Sequence, residues 1–233
     1  MMIDGSSVRR HAHRDFESEL RALNEALLAM AGRVEQMIGQ SVRALFDRDG
    51  AAAERVRAAD RLVNDAEKEI DGMCLRILAR RQPMGSDLRL LTRVLKMVTD
   101  IERMGDLAVN LSRQATGLAA LGRPDIGVHP GIERMAEVVR AMLSDALDAF
   151  VERDPKRARD VIARDDEVDR LQAQICADML ERMRAQPEQL GVGLHVQEAA
   201  KYLERMGDHA TNLAEQVVFL VHAEDIRHLP LGA

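Results

Sequence analysis

The stretch ERMGDLAVNL, residues 102–111, returns as ERMGDHATNL at residues 204–213, with eight of the ten positions identical. Working outward from this pair, a shift of 105 residues places Met30 on Met135, Val34 on Val139, Met37 on Met142 and Leu45 on Phe150. The same shift carries Asp49 onto Asp154, Val56 onto Val161, Val63 onto Val168 and Ile70 onto Ile175. Pro83 meets Pro187 at a shift of 104 and the quoted motif matches at 102, so a few residues are missing around the second connection. Self-similarity at this period means two structural units written in tandem.

Each unit reads as three long helices. Phe16, Leu20, Leu23, Leu27, Met30, Val34 and Met37 recur in steps of four and three, the apolar stripe of a bundle helix. The spacing predicts a first helix over 14–46, with Asp49 as the N-cap of the next and Gly50 as a break. Val56, Val63, Ile70 and Ile77 mark the second helix, which ends near Gln82 and Pro83. Ser86 is the expected N-cap of the third, whose apolar side carries Leu88, Leu91, Leu95, Val98 and Ile101 on to about Leu121. Gly122, Pro124, Gly127 and Pro130 punctuate a linker, after which the pattern restarts. The expected fold class is all-α, two antiparallel three-helix bundles side by side, the first repeat over 14–122 and the second over 128–224. Helices of about 25–35 residues would span about 40–50 Å.

Composition narrows the function classes. One Tyr, four Phe and no Trp leave a core of aliphatic residues and 13 Met. The net charge is −6, and no basic block follows a short N-terminal Arg/His run, so no nucleic-acid partner is expected. Cys74 and Cys176 are too few for a disulfide framework or a thiolate metal site and read as small core residues. Residues 1–14 lack the apolar run of a secretory signal, and no uninterrupted apolar stretch reaches membrane-spanning length. A soluble, cytoplasmic protein is expected, touching membranes only through partners. No nucleophile stands beside a base at a recognisable spacing, and there is neither a glycine-rich phosphate loop nor an HExxH, so the chain is not expected to be an enzyme.

The chemistry concentrates in the duplicated motif. Glu102 and Asp106 are four apart and share a helix face, as do Glu204 and Asp208; Asn110 and Asn212 extend the two rows. Like charges at this spacing repel by a few tenths of a kcal/mol, about the size of a helix ion pair. A hard cation or iron would offset that strongly. Arg103 and Arg205 could as well, although each leaves its helix about 100° away from the acids. A mid-helix glycine costs about 1 kcal/mol relative to alanine, so Gly105 and Gly207 beside the acidic pairs point to close approach by another helix or a ligand. The second helices can add oxygen donors, because Asp60 and Asn64 align with Asp165 and Asp169, and Glu67 and Asp71 supply a further pair in the first unit. Facing rows of this kind would build an oxygen-rich site between helices. The opposing reading is a solvated acidic surface, common for a single i, i+4 pair but less so for two near-identical copies. Three other readings fare poorly: His209 stands where the first copy has Leu107, while His195 and His222 lack partners at ligand spacing.

HRDFESELRALNEALLAMAGRVEQMI (13–38), DRLVNDAEKEID (60–71), RQPMGSDLRLLTRVLKMVTDIERMGDLAVN (81–110) and KYLERMGDHATNLAEQVVF (201–219) together resemble the PhoU family of accessory regulators of bacterial phosphate transport. The resemblance covers nearly the whole chain, and RQPxxxDLR combined with two ERxGDxAxN elements is specific. It implies three-helix bundles related by a pseudo-two-fold, and a negative regulator of the phosphate-starvation response rather than an enzyme. It implies that the acidic elements bind metal, as iron, zinc, manganese or magnesium, through Glu102 and Asp106 in one unit and Glu204 and Asp208 in the other. Asp100 matches a further acid of the family pattern, and Tyr202 replaces it in the second unit, which argues against equal metal content. The implied partners are the ATPase subunit of the phosphate importer and a sensor histidine kinase, with a homodimer expected.

Two other function classes stay open at this point. A metal-storage or di-metal carboxylate redox protein would pair Glu with Glu-x-x-His, and the spacing from Glu204 to His209 is wrong for that. A metal-independent helical scaffold would tolerate alanine at Glu102, Asp106, Glu204 and Asp208.

Overall fold

The computed structural model describes residues 5–122 and 126–223, with side chains from residue 14 onward. Pro124 and residue 224, where the second repeat was expected to close, lie outside these, and the N-terminal Arg/His run is described in its backbone alone up to His13. Among the described residues six α-helices follow one another: α1 (Gly5–Asp47), α2 (Gly50–Arg81), α3 (Ser86–Ala120), α4 (Gly131–Glu152), α5 (Pro155–Ala185) and α6 (Leu190–His222). A single 3-10 turn, Pro187–Gln189, precedes α6. Among the described residues no helix is long and apolar enough to cross a membrane.

The helices α1, α2 and α3 form one bundle and α4, α5 and α6 the other. The bundles join along α3 against α6 and α1 against α4, so those four helices make a central square, with α2 and α5 as outer flanks. Most of the expected apolar stripes are core: Leu23, Leu27, Met30, Val34, Val56, Val63 and Ile70 are fully buried, as are Met135, Val139, Val161 and Val168, whereas Leu88, in the first turn of α3, is exposed. Because the core runs without a break across both repeats, burying it stabilises the pair of bundles as one unit.

Both first connections are built alike. Arg48 and Arg153, related by the 105-residue shift, sit in the left-handed region at φ 53° and 52° and stop α1 and α4. The following Asp49 and Asp154 accept hydrogen bonds from the backbone N–H groups of Ala51 and Ala52, and of Lys156 and Arg157, at 2.9–3.1 Å. This satisfies donors that a helix start leaves unpaired. The break thus falls at Arg48, and Gly50 is already helical.

Three other expectations change. The helix α1 begins by Gly5 rather than residue 14, and its 43 residues against 22 in α4 exceed the expected spread at both ends. Ser86 is the first helical residue and not a cap. Gly85, at φ 59° and ψ −121°, takes the N-cap position, with no side-chain bond to the helix start. That backbone conformation is open to glycine and closed to serine.

The linker between repeats is pinned at both sides. The Arg48 guanidinium donates to the carbonyl of Leu118 at 3.3 Å and to that of Ile126. His129, nearly buried, accepts the Gly131 N–H on Nδ1 at 3.0 Å, and its Nε2–H donates to Asp178 at 3.0 Å. An imidazole at the start of α4 thus does the capping that Pro130 cannot.

Candidate functional site

The two glycines lie where α2 packs on α3 and α5 on α6, and the approach is tighter at the second. A Cβ at Gly105 would lie 3.4 Å from Val63 and 3.6 Å from the Asp60 carboxylate. At Gly207 it would lie 3.2 Å from both Val168 and the Asp165 carboxylate. The expected close approach is therefore made by a helix, and it carries an acid with it. Asp60 comes to Glu102 and Asp106 in the first repeat, and Asp165 to Glu204 and Asp208 in the second, giving one carboxylate seam per repeat.

The first seam is partly neutralised from within. The Glu102 side chain is 16% exposed and Asp106 44%, and Arg103 bends back to stand 3.7 Å from each. Its Cα direction suggested otherwise, but a four-bond stem lets a guanidinium return across 100° of helix. Asn64 donates to Asp60 at 3.2 Å. The other oxygen of Asp60 and the Asn64 carbonyl are buried with no hydrogen-bond partner. Burial first, and then the Asp106 charge, pushes the carboxyls of Glu102 and Asp60 above their ordinary range. Glu67 shifts upward for the same reasons, with Asp71 as the neighbouring charge.

The second seam is more acidic. Asp169 stands where the first has Asn64, and both Asp169 and Asp208 are exposed. Burial, followed by the charges of Asp208, Asp169 and Glu204, pushes Asp165 up to about 6. Glu204 and Asp208 are raised as well, again by burial first and neighbouring carboxylates second.

Three expected site residues lie elsewhere. Asp100 is two residues before Glu102, about 200° around the helix, and faces α6. There it accepts from His209 Nδ1 at 2.9 Å and from Asn212 at 3.2 Å. Asn110, about 80° beyond Glu102 at eight residues, accepts from Arg113 at 2.8 Å. Neither Asp100 nor Asn212 joins a seam. His209, set aside because the first copy has Leu107, is the partner of Asp100. The signal was a histidine appearing in one repeat opposite an aspartate in the other, visible only once α3 and α6 are known to run antiparallel.

Among the described residues no three His, Cys, Asp or Glu side chains already converge as metal ligands. The donor chemistry nevertheless fits a hard cation. All the atoms are oxygens, Asp60, Glu102 and Asp165 are partly desolvated and repelled by neighbouring carboxylates, and a buried Asp60 oxygen lacks a partner.

Comparison with known proteins gives the same two units. A family profile, the PhoU domain, matches residues 27–115 and again 132–217. The chain belongs to the PhoU family. It is 39% identical to a Pseudomonas putida protein named phosphate-specific transport system accessory protein PhoU homolog, over 99% of this chain and 90% of that one. A Pseudomonas aeruginosa protein of the same name is also 39% identical, over 99% of this chain and 95% of its own. The crystal structure of PhoU from Pseudomonas aeruginosa superposes with a TM-score of 0.83 at 38% identity, covering 90% of this chain and all of that one. The phosphate transport system regulatory protein PhoU from Streptococcus pneumoniae matches with the same TM-score at 25% identity, over 90% of this chain and 98% of its own. Two PhoU domains of helical bundle are thus the architecture, agreeing with the resemblance read from the motifs.

Proposed function

We propose that this PhoU protein is a negative regulator of the phosphate-starvation response and of high-affinity phosphate uptake. It acts in the cytoplasm as a non-catalytic, metal-binding helical adapter, and works as a homodimer. Its partners in this reading are the ATPase subunit of a phosphate importer and a sensor histidine kinase. The role in phosphate transport is carried over from the names of the full-length relatives.

The observation that carries the adapter reading is the pair of carboxylate seams, repeated on both bundles and built around glycine. Glu102, Asp106 and Asp60 would hold a cation in the first repeat, and Glu204, Asp208, Asp165 and Asp169 in the second. A bound cation would supply the positive charge that lets these acids stay ionised together. The residues themselves set the consequence: α2 is held to α3 and α5 to α6, which fixes the outer face a partner meets. Asp169 and Asp208, being exposed, put part of the second seam on that face.

The test is a pull-down from phosphate-replete cells, repeated with alanine at Glu102, Asp106, Glu204 and Asp208. Recovery of the importer ATPase and a histidine kinase, lost with the alanine variant, is expected. Titration of iron, zinc, manganese and magnesium into apoprotein separates the two halves of the reading. Partners retained without any cation affinity tighter than millimolar would leave an adapter and remove its metal.

A further inference from the structure

Between α3 and α6 opens a cleft of about 400 Å³, walled by Leu95, Lys96, Thr99 and Asp100 from one helix and by Asn212 and Gln216 from the other. Asp100 and Asn212, which join neither carboxylate seam, both belong to it. Three residues before Lys96, Arg93 lies over the Phe219 ring, 4.2 Å from its centroid, and donates to Gln216 Oε1 at 3.0 Å.

Gln216 is only 6% exposed. The Arg93 bond fixes which way its amide faces, because a guanidinium only donates and so must meet the oxygen. Its N–H2 group is left to the cleft, with no acceptor among the described residues. The same position in the other repeat, at a shift of 102, is Gln114, and both ends of that amide are used. Its oxygen accepts from His195 Nδ1–H at 2.8 Å and its N–H2 donates to the Asn110 carbonyl at 3.3 Å. His195 itself fills the space above Gly117, where a Cβ would overlap its ring. Tyr202 stands there in place of Asp100, and Glu198 in place of Lys96. The idle amide is therefore a property of this cleft and not of the way the helices pack, and a nearly buried donor without an acceptor calls for one.

Two unlike charges share the cleft without meeting. Lys96 and Asp100 are four apart on α3, a spacing at which opposite charges pair, yet no ion pair joins them. Asp100 Oδ1 is turned to α6, where it accepts from His209 and Asn212. Its Oδ2 accepts from none of the described residues, and Lys96 is exposed. Thr99 donates its hydroxyl to the Leu95 carbonyl at 3.3 Å, which leaves its oxygen as a further acceptor. The cleft thus has a donor end, Lys96 with the Gln216 amide, and an acceptor end, Asp100 with Thr99, separated by about one helical turn, about 5.4 Å.

We propose that this cleft is a binding site for a small zwitterion, a free α-amino acid. The carboxylate of the ligand accepts from Lys96 and Gln216, and its ammonium group donates to Asp100 Oδ2 and Thr99. With a hydrogen bond of about 2.8 Å at each end, so short a molecule bridges one turn of helix. Each charged end meets its opposite, and charge-assisted hydrogen bonds of this kind are the strong ones. A simple anion or a simple cation satisfies one end and leaves the other idle. Leu95 gives the cleft an apolar side, and its open mouth leaves room for the side chain of the ligand.

Ligand-observed NMR titration of the full-length protein, with a chelator present so that the acid seams hold no cation, tests this against each of the protein amino acids in turn. At least one is expected to bind in the millimolar range. Its N-acetyl and methyl-ester derivatives, each lacking one charge, should bind about tenfold more weakly. Lys96→Gln, at an exposed position, should weaken the amino acid by about tenfold and leave the affinity of the methyl ester unchanged. Asp100→Asn, which still accepts from His209 and Asn212, should weaken the amino acid and leave the N-acetyl derivative unchanged. Glu198→Gln, at the equivalent position of the other repeat, should alter nothing. The inference is overturned if no amino acid binds, if either Lys96→Gln or Asp100→Asn leaves the parent affinity intact, or if the two derivatives bind as well as the parent.

Discussion

Replacing Asp165 by Asn should stabilise the cation-free protein at neutral pH and do almost nothing in acid. In the folded chain this carboxyl is held up to about 6 by burial and by the charges of Asp208, Asp169 and Glu204, against 3.8 for a free aspartate. A carboxyl raised in this way favours the fold when protonated and opposes it when ionised. Its cost is absent below pH 3.8, grows as pH rises, and is complete above about 6. At about 1.36 kcal/mol per pH unit the full interval would be worth about 3 kcal/mol. Asp165 is only half-buried, and solvent screening reduces the expected gain from asparagine to about 1 kcal/mol at pH 7.5. For a chain of this length that is about 2–4 °C in Tm. Urea unfolding of both proteins with a chelator present, at pH 4 and pH 7.5, reads it directly. Manganese should then reverse the order, since a cation that binds only the folded seam stabilises the unsubstituted protein more. An Asp165→Asn protein that is destabilised at pH 7.5 without cation, or whose gain is equal at both pH values, would refute the electrostatic account.

Further outcomes follow from neighbouring contacts. Gly105→Ala should raise stability by up to about 1 kcal/mol, the helix preference for alanine, because its Cβ meets Val63 at an ordinary 3.4 Å. Gly207→Ala should gain less or lose, since Val168 and Asp165 stand at 3.2 Å, and thermal melts of the two variants give the ranking. Asp154→Ala removes the cap of α5 and should cost about 1 kcal/mol in urea unfolding. Leu111→Ala, at a fully buried site, should lower unfolding free energy by about 2–5 kcal/mol through transfer and cavity terms.

The helices, the repeat and the two glycines were legible because each is a local or periodic signal. Apolar steps of three and four name a buried face whatever that face meets, and a glycine beside acids in mid-helix names a close approach without naming the neighbour. Asp49 could be read as a cap because capping involves only the next three residues. Ser86 failed as one because Gly85 takes a backbone turn that no spacing rule reveals. Asp100 failed for a longer-range reason. The family pattern set it with the acids of the motif, yet its two-residue step from Glu102 carries it to the far side of α3. What it does there depends on the antiparallel register with α6, which brings position 209 opposite. Arg103 reaches the acids despite its Cα direction, because the long stem lets the guanidinium follow the charges available to it.

The division between what the repeats share and what they do not follows from geometry. Glu, Arg, Gly and Asp recur in the same order at 102–106 and 204–208, and of these Glu, Gly and Asp turn toward the flanking helix of their own bundle. Each bundle therefore keeps a complete seam that needs nothing from the other. The positions facing the opposite bundle were under a different constraint, because a two-fold contact presents each facing pair twice with the roles of the repeats exchanged, and on the axis sets a position against its own equivalent. A charged residue there repels itself unless the two copies diverge, and a large one collides unless the other side shrinks. Glu35 against Arg140 is the first solution, and Phe219 under Arg93 with Gly117 under His195 is the second. The differences that join the bundles thus lie on the facing sides of α1, α3, α4 and α6, while the acid seams on the flanks keep the same order of Glu, Gly and Asp in both repeats.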